Sequence, residues 1–259
     1  MARIEYDVNL FLALNQEYET KPLVPAPRSY ATVEVEEYGR KKAAMLARRY
    51  SVAGQRVLEV GCGRGEVAHA LATDFGCQVC AVDVVPYDEW AAWDAKGLSL
   101  QVLDITREDV SALGRFDFVY SHSVWEHMRH PFSGLKAAAQ LLAPEGRFHL
   151  YANLYRGPVA SHRYRDVFFP WPHLLFPDSV FIQFCQAIGK PPITPAWLNK
   201  LTAAEYLVFS DLVGLRTERV SYTMRPIDED FYQRFEEALS KYPRFDLERD
   251  FIEAVLVPK

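Results

Sequence analysis

The sequence predicts an α/β protein whose parallel β-sheet carries crossover helices on both faces. Short apolar runs alternate with helical patterns between residues 56 and 153, and this alternation is typical of a doubly wound sheet. In addition, the stretch VLEVGCGRGE at 57–66 places three glycines at alternate positions between the first apolar run and a helix-like segment. A loop of this kind lets a ligand approach the backbone closely, so both observations indicate an α/β fold with a ligand site after its first strand.

The predicted elements follow one another in a regular order. A helix is expected over 33–50, because acidic residues occupy its first turns and Arg48 and Arg49 lie near its end, as the helix dipole favours. Strands are then predicted at RVLEV, QVCAVDV, LSLQVLD, FDFVYS and GRFHLYAN. Helices are predicted between them at EVAHALATDF, EWAAWDAK and FSGLKAAAQLL. Near the end of the chain, helices are predicted at TAAEYLVFSDL and DEDFYQRFEEALSKY, and strands at LRTERVSYTM and FIEAVLVP.

Composition excludes several classes of function. The 259 residues, 49% of them hydrophobic, predict a single domain over 1–259 that includes an N-terminal helical segment at 1–50. No apolar run reaches about 18 residues, so we expect neither a membrane span nor a secretory signal, and we expect a soluble cytoplasmic chain. The net charge of -5, with acids and bases intermixed, argues against nucleic acid as a partner. Cys77 and Cys80 form an unaccompanied C-x-x-C, which we interpret as two buried thiols rather than a metal site.

An acidic residue ends each of the first three predicted strands: Glu59, Asp83 and Asp104. Ligands of doubly wound sheets bind beyond these strand ends. A dinucleotide site would use an acid at the place of Asp83, but it would need a third glycine where this chain has the anionic Glu66. Glu59 suits an ammonium group and Asp104 an exocyclic amine. Each acid alone could instead be a helix cap or a turn residue, and their coincidence at three successive strand ends favours a cofactor.

These residues resemble those of the class I S-adenosylmethionine-dependent methyltransferases, whose first motif has the form E/D-x-G-x-G-x-G. LEVGCGRG matches that motif, while AVDVV and VLDIT supply the acids of the next two strands. FDFVYSHSVWEHMRHP and LLAPEGRFHL look like the fourth and fifth strands of the small-molecule members, so the resemblance is specific over about residues 56–153. It implies a Rossmann-like, doubly wound, seven-stranded, mostly parallel sheet with an antiparallel edge strand.

The resemblance also implies a complete cofactor site. Glu59 and the glycine loop would hold the methionine part, Asp83 the ribose hydroxyls, and Asp104 with the backbone of Ile105 the adenine. Val84 would pack on the adenine ring. The cofactor-binding residues expected in this way are Glu59, Gly61, Cys62, Gly63, Gly65, Asp83, Val84, Asp104, Ile105, Ser121 and His122. No metal ion is expected, because the loop after the fourth strand offers only one acid, Glu126.

Methyl transfer to a hydroxyl group needs alignment and, in addition, a base. Alignment of two reactants can contribute roughly 7 to 11 kcal/mol, and a general base adds about 100-fold to 10,000-fold. Histidine is the usual base, and the candidates are His122, His127, His162 and His173. His127 could instead order its loop, and Glu126 could either hold a neighbouring helix or bind substrate.

The segment 154–200 is a long insertion, rich in aromatic residues and prolines, between the fifth strand and the next helix. A segment of this length is usually a lid or a subdomain with its own packing. We expect it to cover the acceptor pocket, with Arg163, Tyr164, Arg165 and Trp171 joining Glu126 in contact with the substrate. The alternative is that its aromatic residues cover the edge of the sheet while its arginines remain solvated.

The sequence therefore predicts an S-adenosylmethionine-dependent methyltransferase that acts on a small-molecule acceptor. The expected acceptor is a hydroxyl group of a sugar-containing or other secondary metabolite. Methylation of nitrogen or carbon is an alternative, because the candidate bases do not specify the acceptor atom. An NAD-dependent oxidoreductase is a further alternative, and a binding protein without turnover is another.

Overall fold

The computed structural model describes residues 4–25 and 31–259. The remaining residues of the expected N-terminal segment, 1–3 and 26–30, lie outside the described part of the chain. Among the described residues, no helix combines the length and the apolar character that crossing a membrane requires.

Seven strands form one sheet in the order β3-β2-β1-β4-β5-β7-β6. Their bounds are β1 Arg56–Val60, β2 Gln78–Asp83, β3 Leu98–Val102, β4 Phe116–His122, β5 Leu142–Asn153, β6 Leu215–Met224 and β7 Arg249–Pro258. β1 pairs in parallel with β2 on one side and with β4 on the other, so the strand order reverses beside β1. β3 and β5 extend the parallel part, and antiparallel strands complete the edge. The predicted fold class is confirmed.

The described part of the chain also contains ten α-helices. Their bounds are α1 Val8–Tyr18, α2 Thr32–Tyr50, α3 Glu66–Phe75, α4 Pro131–Leu141, α5 Pro172–Leu175, α6 Asp178–Ala187, α7 Ala203–Leu212, α8 Glu229–Arg234, α9 Glu236–Leu239 and α10 Arg244–Leu247. Short 3₁₀ helices lie at Asp88–Ala92, Ser111–Leu113 and Trp125–His127. The helix predicted at EWAAWDAK is thus wrong in type, and the helix predicted at DEDFYQRFEEALSKY is interrupted at Phe235, between α8 and α9.

The chain divides into two compact units. The sheet unit comprises Ser29–Ala152, Ala203–Ser221 and Glu253–Lys259. The aromatic unit comprises Met1–Arg28, Asn153–Thr202 and Tyr222–Ile252, and therefore contains the insertion at 154–200. The single domain expected from the length of the chain stays a prediction.

In the sheet unit, α2 and α3 pack closely enough to require a glycine between them. A Cβ atom added to Gly39 would lie 2.4 Å from the carbonyl oxygen of Glu66 at the start of α3. Behind this contact, apolar residues of both helices and of β1, β2 and β4 form one core. This core fixes α3 against the strand that carries the glycine loop.

The aromatic unit has a core of its own, centred on Phe11 of α1. The rings of Phe169, Phe176, Phe181 and Phe184 surround it with centroid separations of 4.7 to 5.0 Å. All four belong to the insertion, which shares this core with α1 and with residues between 227 and 247.

Candidate active site

A cavity of about 620 Å³ opens at the carboxyl ends of β1, β2, β3 and β4. It is lined by eight residues that the sequence analysis singled out, namely Gly61, Gly63, Asp83, Val84, Asp104, Ile105, His122 and His127. Sequence reasoning did not identify other lining residues, which include Tyr87, Thr106, Arg107, Ser123, Val124, Met128 and Arg129. The available signal was their position, because each follows a predicted strand by only a few residues. The cavity lies where a doubly wound sheet binds its ligand.

The glycine loop requires its glycines for two different reasons. Gly61 has a φ of +73°, and a Cβ atom added to it would lie 2.3 Å from Cγ2 of Val124. Gly63 has a φ of +54°, but an added Cβ atom would meet nothing within 4 Å. Backbone conformation and close packing thus exclude a side chain at Gly61, while the backbone at Gly63 borders open space in the cavity wall.

Asp83 connects β2 to the glycine loop. Its Oδ2 accepts a hydrogen bond from the Gly63 N–H at 2.8 Å, and its Oδ1 accepts one from the Val84 N–H at 2.7 Å. A carboxylate oxygen has more than one acceptor position, so Asp83 can also accept hydrogen bonds from a ligand. Val84 itself is 62% exposed and lines the cavity.

Asp104 forms a local turn and also lines the cavity. Its Oδ1 accepts hydrogen bonds from the Thr106 N–H at 2.9 Å and from the Thr106 hydroxyl at 2.6 Å. Arg107 Nε lies 3.6 Å from its Oδ2. The turn corresponds to the local role considered for Asp104, although no helix begins at Thr106 in the described structure.

Glu59 is a buried acid with an unsatisfied oxygen. Its side chain is 5% exposed, and Oε2 has no hydrogen-bond partner among the described residues. Burial raises its pKa well above the ordinary value, and the negative charges of Glu66 and Asp83 add to this, while a hydrogen bond from the Ala68 N–H and the charge of Lys42 oppose it. A buried carboxylate with one unsatisfied oxygen is costly, so a cationic ligand group beside Glu59 would stabilise the protein. The next two residues, Val60 and Gly61, line the cavity.

Three other expected cofactor residues do not line the cavity. Ser121 is 1% exposed, and its hydroxyl donates to the Val60 carbonyl oxygen at 3.0 Å. Cys62 is buried, and burial raises the pKa of its thiol. A Cβ atom on Gly65 would lie 3.1 Å from side-chain atoms of Leu100 and Trp93. Contact of these three residues with a cofactor stays a prediction.

Two tryptophans hold the carbonyl groups of the glycine loop. Trp90 Nε1 donates to the Gly63 carbonyl oxygen at 2.7 Å, and Trp93 Nε1 donates to that of Arg64 at 2.5 Å. Arg64 in turn forms an ion pair with Glu89. Sequence reasoning missed this support, although the two indoles of EWAAWDAK were its visible sign.

Residues 31–187 match a family model described as a methyltransferase domain. The chain belongs to this methyltransferase family. It is 36% identical over 192 residues to the "Ubiquinone biosynthesis O-methyltransferase" of Xanthomonas oryzae pv. oryzae strain PXO99A. The matched region covers 64% of this chain and 79% of the relative. The predictions of a methyltransferase and of S-adenosylmethionine as its cofactor are confirmed.

Solved structures show the same fold at low sequence identity. An S-adenosylmethionine-dependent methyltransferase from Mesorhizobium loti is 18% identical, with a TM-score of 0.55 over 85% of this chain and 99% of that chain. The CcbJ methyltransferase from Streptomyces caelestis is 15% identical, with a TM-score of 0.53 over 98% and 99%.

Within the sheet unit of this methyltransferase, His122 and His127 both line the cavity. His122 lies at the end of β4, and its Nδ1 is 3.3 Å from Lys42 Nζ. His127 is exposed, whereas Glu126 beside it is 1% exposed. The structure therefore places two of the four candidate bases at the carboxyl ends of β1 to β4, the edge of the sheet that is called the cofactor edge because the resemblance implies cofactor binding there.

The other two candidate bases lie in the aromatic unit. His162 Nε2 is 3.1 Å from Asn153 Oδ1. His173 donates from Nε2 to the Tyr155 carbonyl oxygen at 2.7 Å, its Nδ1 is buried, and burial lowers its pKa to about 4. His173 is consequently neutral at physiological pH, with neither ring nitrogen presented to solvent, which is a poor arrangement for a base.

The expected acceptor-binding residues of the insertion also make local contacts. Arg163 Nε donates to the Thr194 carbonyl oxygen. Tyr164 is partly buried and Arg165 is exposed. Trp171 is 1% exposed, with its indole 6.0 Å from the ring of Phe231, so core packing accounts for it without a ligand. Contact of these four residues with an acceptor stays a prediction.

Proposed function

We propose that this methyltransferase transfers the methyl group of S-adenosylmethionine to a hydroxyl group of a small molecule bound in the cavity of the sheet unit. The observation that carries the proposal is the buried Glu59 Oε2 without a hydrogen-bond partner among the described residues, next to a glycine loop that lines the cavity. The choice of oxygen as the acceptor atom is supported by the 36% identical relative, whose name describes an O-methyltransferase.

The residues around the cavity fit the chemical groups of the cofactor. Glu59 would hold the cationic methionine end, since its unsatisfied carboxylate favours an ammonium group. Asp83 would accept hydrogen bonds from the ribose hydroxyls, and Asp104 would accept one from the adenine amine. The bare backbone at Gly63 leaves open space that a side chain would fill. When bound, the cofactor supplies a reactive methyl group on a positively charged sulfur.

The contribution of the chain is to orient the acceptor and to remove its proton. The cavity walls would restrict the acceptor and exclude water, and alignment of this kind can supply roughly 7 to 11 kcal/mol. His122 would take the hydroxyl proton, because it is a base candidate that lies both at the end of β4 and in the cavity wall. His127, His162 and His173 would then have supporting roles.

The acceptor proposed is a hydroxyl group of a sugar-containing or other secondary metabolite. The name of the relative adds compounds of ubiquinone biosynthesis to those worth testing. Glu126, Arg163, Tyr164 and Arg165 remain the residues proposed to contact the acceptor, and the buried Trp171 would act only by supporting the three residues of the insertion. Substitution of the exposed Arg165 tests this with the least effect on folding.

The test has two stages. Calorimetric titration of the purified protein with S-adenosylmethionine, S-adenosylhomocysteine and NAD should give binding of the two sulfur compounds and none of NAD. Incubation with S-adenosylmethionine and a panel of sugar hydroxyls, aromatic hydroxyls and amines should add one methyl group to a hydroxyl compound, as seen by mass spectrometry. A product methylated on nitrogen would overturn the O-methyltransferase proposal, and binding of NAD alone would overturn the assignment of the cavity.

A further inference from the structure

Four rings lie nearly parallel on one face of β4 and β5. The strand register pairs Tyr120 with His149 and His122 with Tyr151. The rings of the first pair are 5.6 Å apart at 13°, and those of the second pair are 4.4 Å apart at 14°. Along β4, the rings of Tyr120 and His122 are 6.4 Å apart at 16°. These four residues, Tyr120, His122, His149 and Tyr151, are called the ring plate. Of the four, His122 also lines the cavity.

Lys42 of α2 lies against the plate. Its Nζ is 3.3 Å from His122 Nδ1, and it lies 6.0 Å and 5.7 Å from the ring centroids of Tyr120 and Tyr151. The neighbouring Lys41 instead has a 73% exposed side chain that pairs with Glu37. Lys42 is thus the lysine that α2 directs into the protein beside the candidate base.

The ionisable groups that face Lys42 come from several elements. Glu59 of β1 and Glu253 of β7 raise its pKa, and Arg49 of α2 lowers it. The Glu253 carboxylate accepts a hydrogen bond from His149 Nε2 at 2.9 Å and also pairs with Arg49. Its negative charge therefore acts on His149 and Arg49 as well as on Lys42. The largest influence is burial, which lowers the pKa of Lys42 to about 8. Lys42 therefore changes charge close to neutral pH.

The charge of Lys42 decides which nitrogen of His122 can carry a proton. An ammonium group has three donors and no acceptor, so beside charged Lys42 the Nδ1 of His122 must accept, and a neutral ring carries its proton on Nε2. Neutral Lys42 has a lone pair and can accept from an Nδ1–H. The ring can then leave Nε2 unprotonated, as a base requires.

We propose that Lys42 is a positioning residue of the methyl-transfer site, and that loss of its proton moves the proton of the neutral His122 ring from Nε2 to Nδ1, so that the unprotonated Nε2 can act as a base. In the active form, His122 Nδ1–H donates to the Lys42 amine. His122 Nε2 would take the proton of the acceptor hydroxyl. The acceptor oxygen would form a bond to the methyl carbon that the bound cofactor supplies as the bond from that carbon to sulfur breaks, with the electron pair staying on the sulfur of S-adenosylhomocysteine, and the proton would pass to solvent after turnover. The catalytic consequence rests on the proposed function, whereas the dependence of the His122 tautomer on Lys42 does not.

The first test observes the ring directly, without cofactor. Side-chain nitrogen NMR of the full chain, recorded between about pH 6.5 and about pH 9.5, reports which histidine nitrogen carries the proton. A His122→Gln variant identifies the His122 signals. In the wild type, Nδ1 should change from acceptor to donor near the pKa of Lys42, about 8. In Lys42→Arg, Nδ1 should remain an acceptor throughout, because a guanidinium group stays charged. The same change in wild type and Lys42→Arg, or no change in either, overturns the inference.

The second test measures turnover against pH. The wild-type kcat should rise roughly 10-fold between pH 7 and pH 9, whereas the Lys42→Arg kcat should stay low and level, with affinity for S-adenosylmethionine within about twofold of wild type. Lys42→Met should also lose the rise near pH 8, and Lys41→Met, on the exposed side of the same helix, should behave as wild type. A rise retained in Lys42→Arg overturns the inference. Failure of the proposed function would instead appear as absence of methyl transfer in every variant, with the nitrogen spectra unaffected.

Discussion

The cofactor edge of the sheet unit and the core of the aromatic unit treat polar groups in opposite ways. At the cofactor edge, Glu59 keeps an oxygen without a hydrogen-bond partner among the described residues, and Gly61 adopts a left-handed conformation. In the aromatic unit, the fully buried Asp250 pairs with Arg225 and accepts the Val159 N–H, while Phe11 is enclosed by rings. Under the proposed function, the unsatisfied groups of the first region would bind a ligand, whereas the polar groups of the second region stabilise the fold.

The largest effect is expected from a cavity in the aromatic core. Phe181→Ala removes a fully buried ring and should lower the free energy of unfolding by about 3 to 5 kcal/mol, while affinity for S-adenosylmethionine stays unchanged in the folded protein. Urea denaturation and calorimetry measure the two quantities. Phe245→Ala, at a ring 54% exposed in the same unit, is the control and should change stability by less than about 0.5 kcal/mol. A large loss of affinity in folded Phe181→Ala would break the distinction between the regions.

Next in size is the effect of a methyl group in the glycine loop. Gly61→Ala should weaken binding of S-adenosylmethionine about 100-fold, because its Cβ atom would overlap Val124 in the cavity wall at 2.3 Å. Gly54→Ala is matched in backbone conformation, with a φ of +75°, but its Cβ atom would meet nothing within 4 Å. That control should cost about 1 kcal/mol of stability and leave binding unchanged. Equal affinities of the two variants, measured by calorimetry, would count against the packing argument.

A smaller effect is expected at Glu59, where one substitution should weaken cofactor binding but increase the stability of the cofactor-free protein. Glu59→Gln should weaken cofactor binding about 10-fold yet raise the free energy of unfolding of the cofactor-free protein at pH 7 by about 1 to 3 kcal/mol, since it removes a buried charge. Because the folded state raises the pKa of Glu59 above 4.5, it binds this proton more tightly than the unfolded chain does. Wild-type stability should accordingly fall as pH rises above about 4.5, and this contribution should be absent in the variant.

The measurement is denaturation from about pH 4 to about pH 8 with and without cofactor, alongside calorimetry. Glu37→Gln provides a control at an acid whose side chain is 59% exposed. A Glu59→Gln protein that is less stable than wild type would show that the carboxylate serves the fold rather than the ligand.

The sequence predicted the parts of the fold that depend on local patterns. β1 and α3 have the predicted bounds, 56–60 and 66–75, because a short apolar run and a glycine loop followed by an amphipathic stretch define them locally. Asp83 and Asp104 reach the cavity for the same reason, since carboxyl ends of neighbouring parallel strands share one edge.

The sequence could not predict features that depend on tertiary partners. EWAAWDAK has a helical pattern, but Trp90 and Trp93 bond to loop carbonyls, and the segment forms only the 3₁₀ helix Asp88–Ala92. The hydroxyl of Ser121 donates to the carbonyl oxygen of Val60 on the adjacent strand β1, a contact that no local sequence pattern predicts. Lys42 belongs to no sequence motif. Its place beside His122 depends on how α2 packs against the sheet, which a local pattern does not reveal.

Under the role proposed for Glu59, its unsatisfied oxygen would also link the supply of methyl donor to the lifetime of the protein. A ligand that binds only the native state adds about 2.7 kcal/mol of stability at 100 times its dissociation constant. Where proteolysis acts on transiently opened molecules, such a gain lowers the rate of degradation in proportion to the open population. With its acid uncompensated, the cofactor-free form would be the one removed faster. The abundance of this enzyme would then follow the concentration of the compound that it consumes.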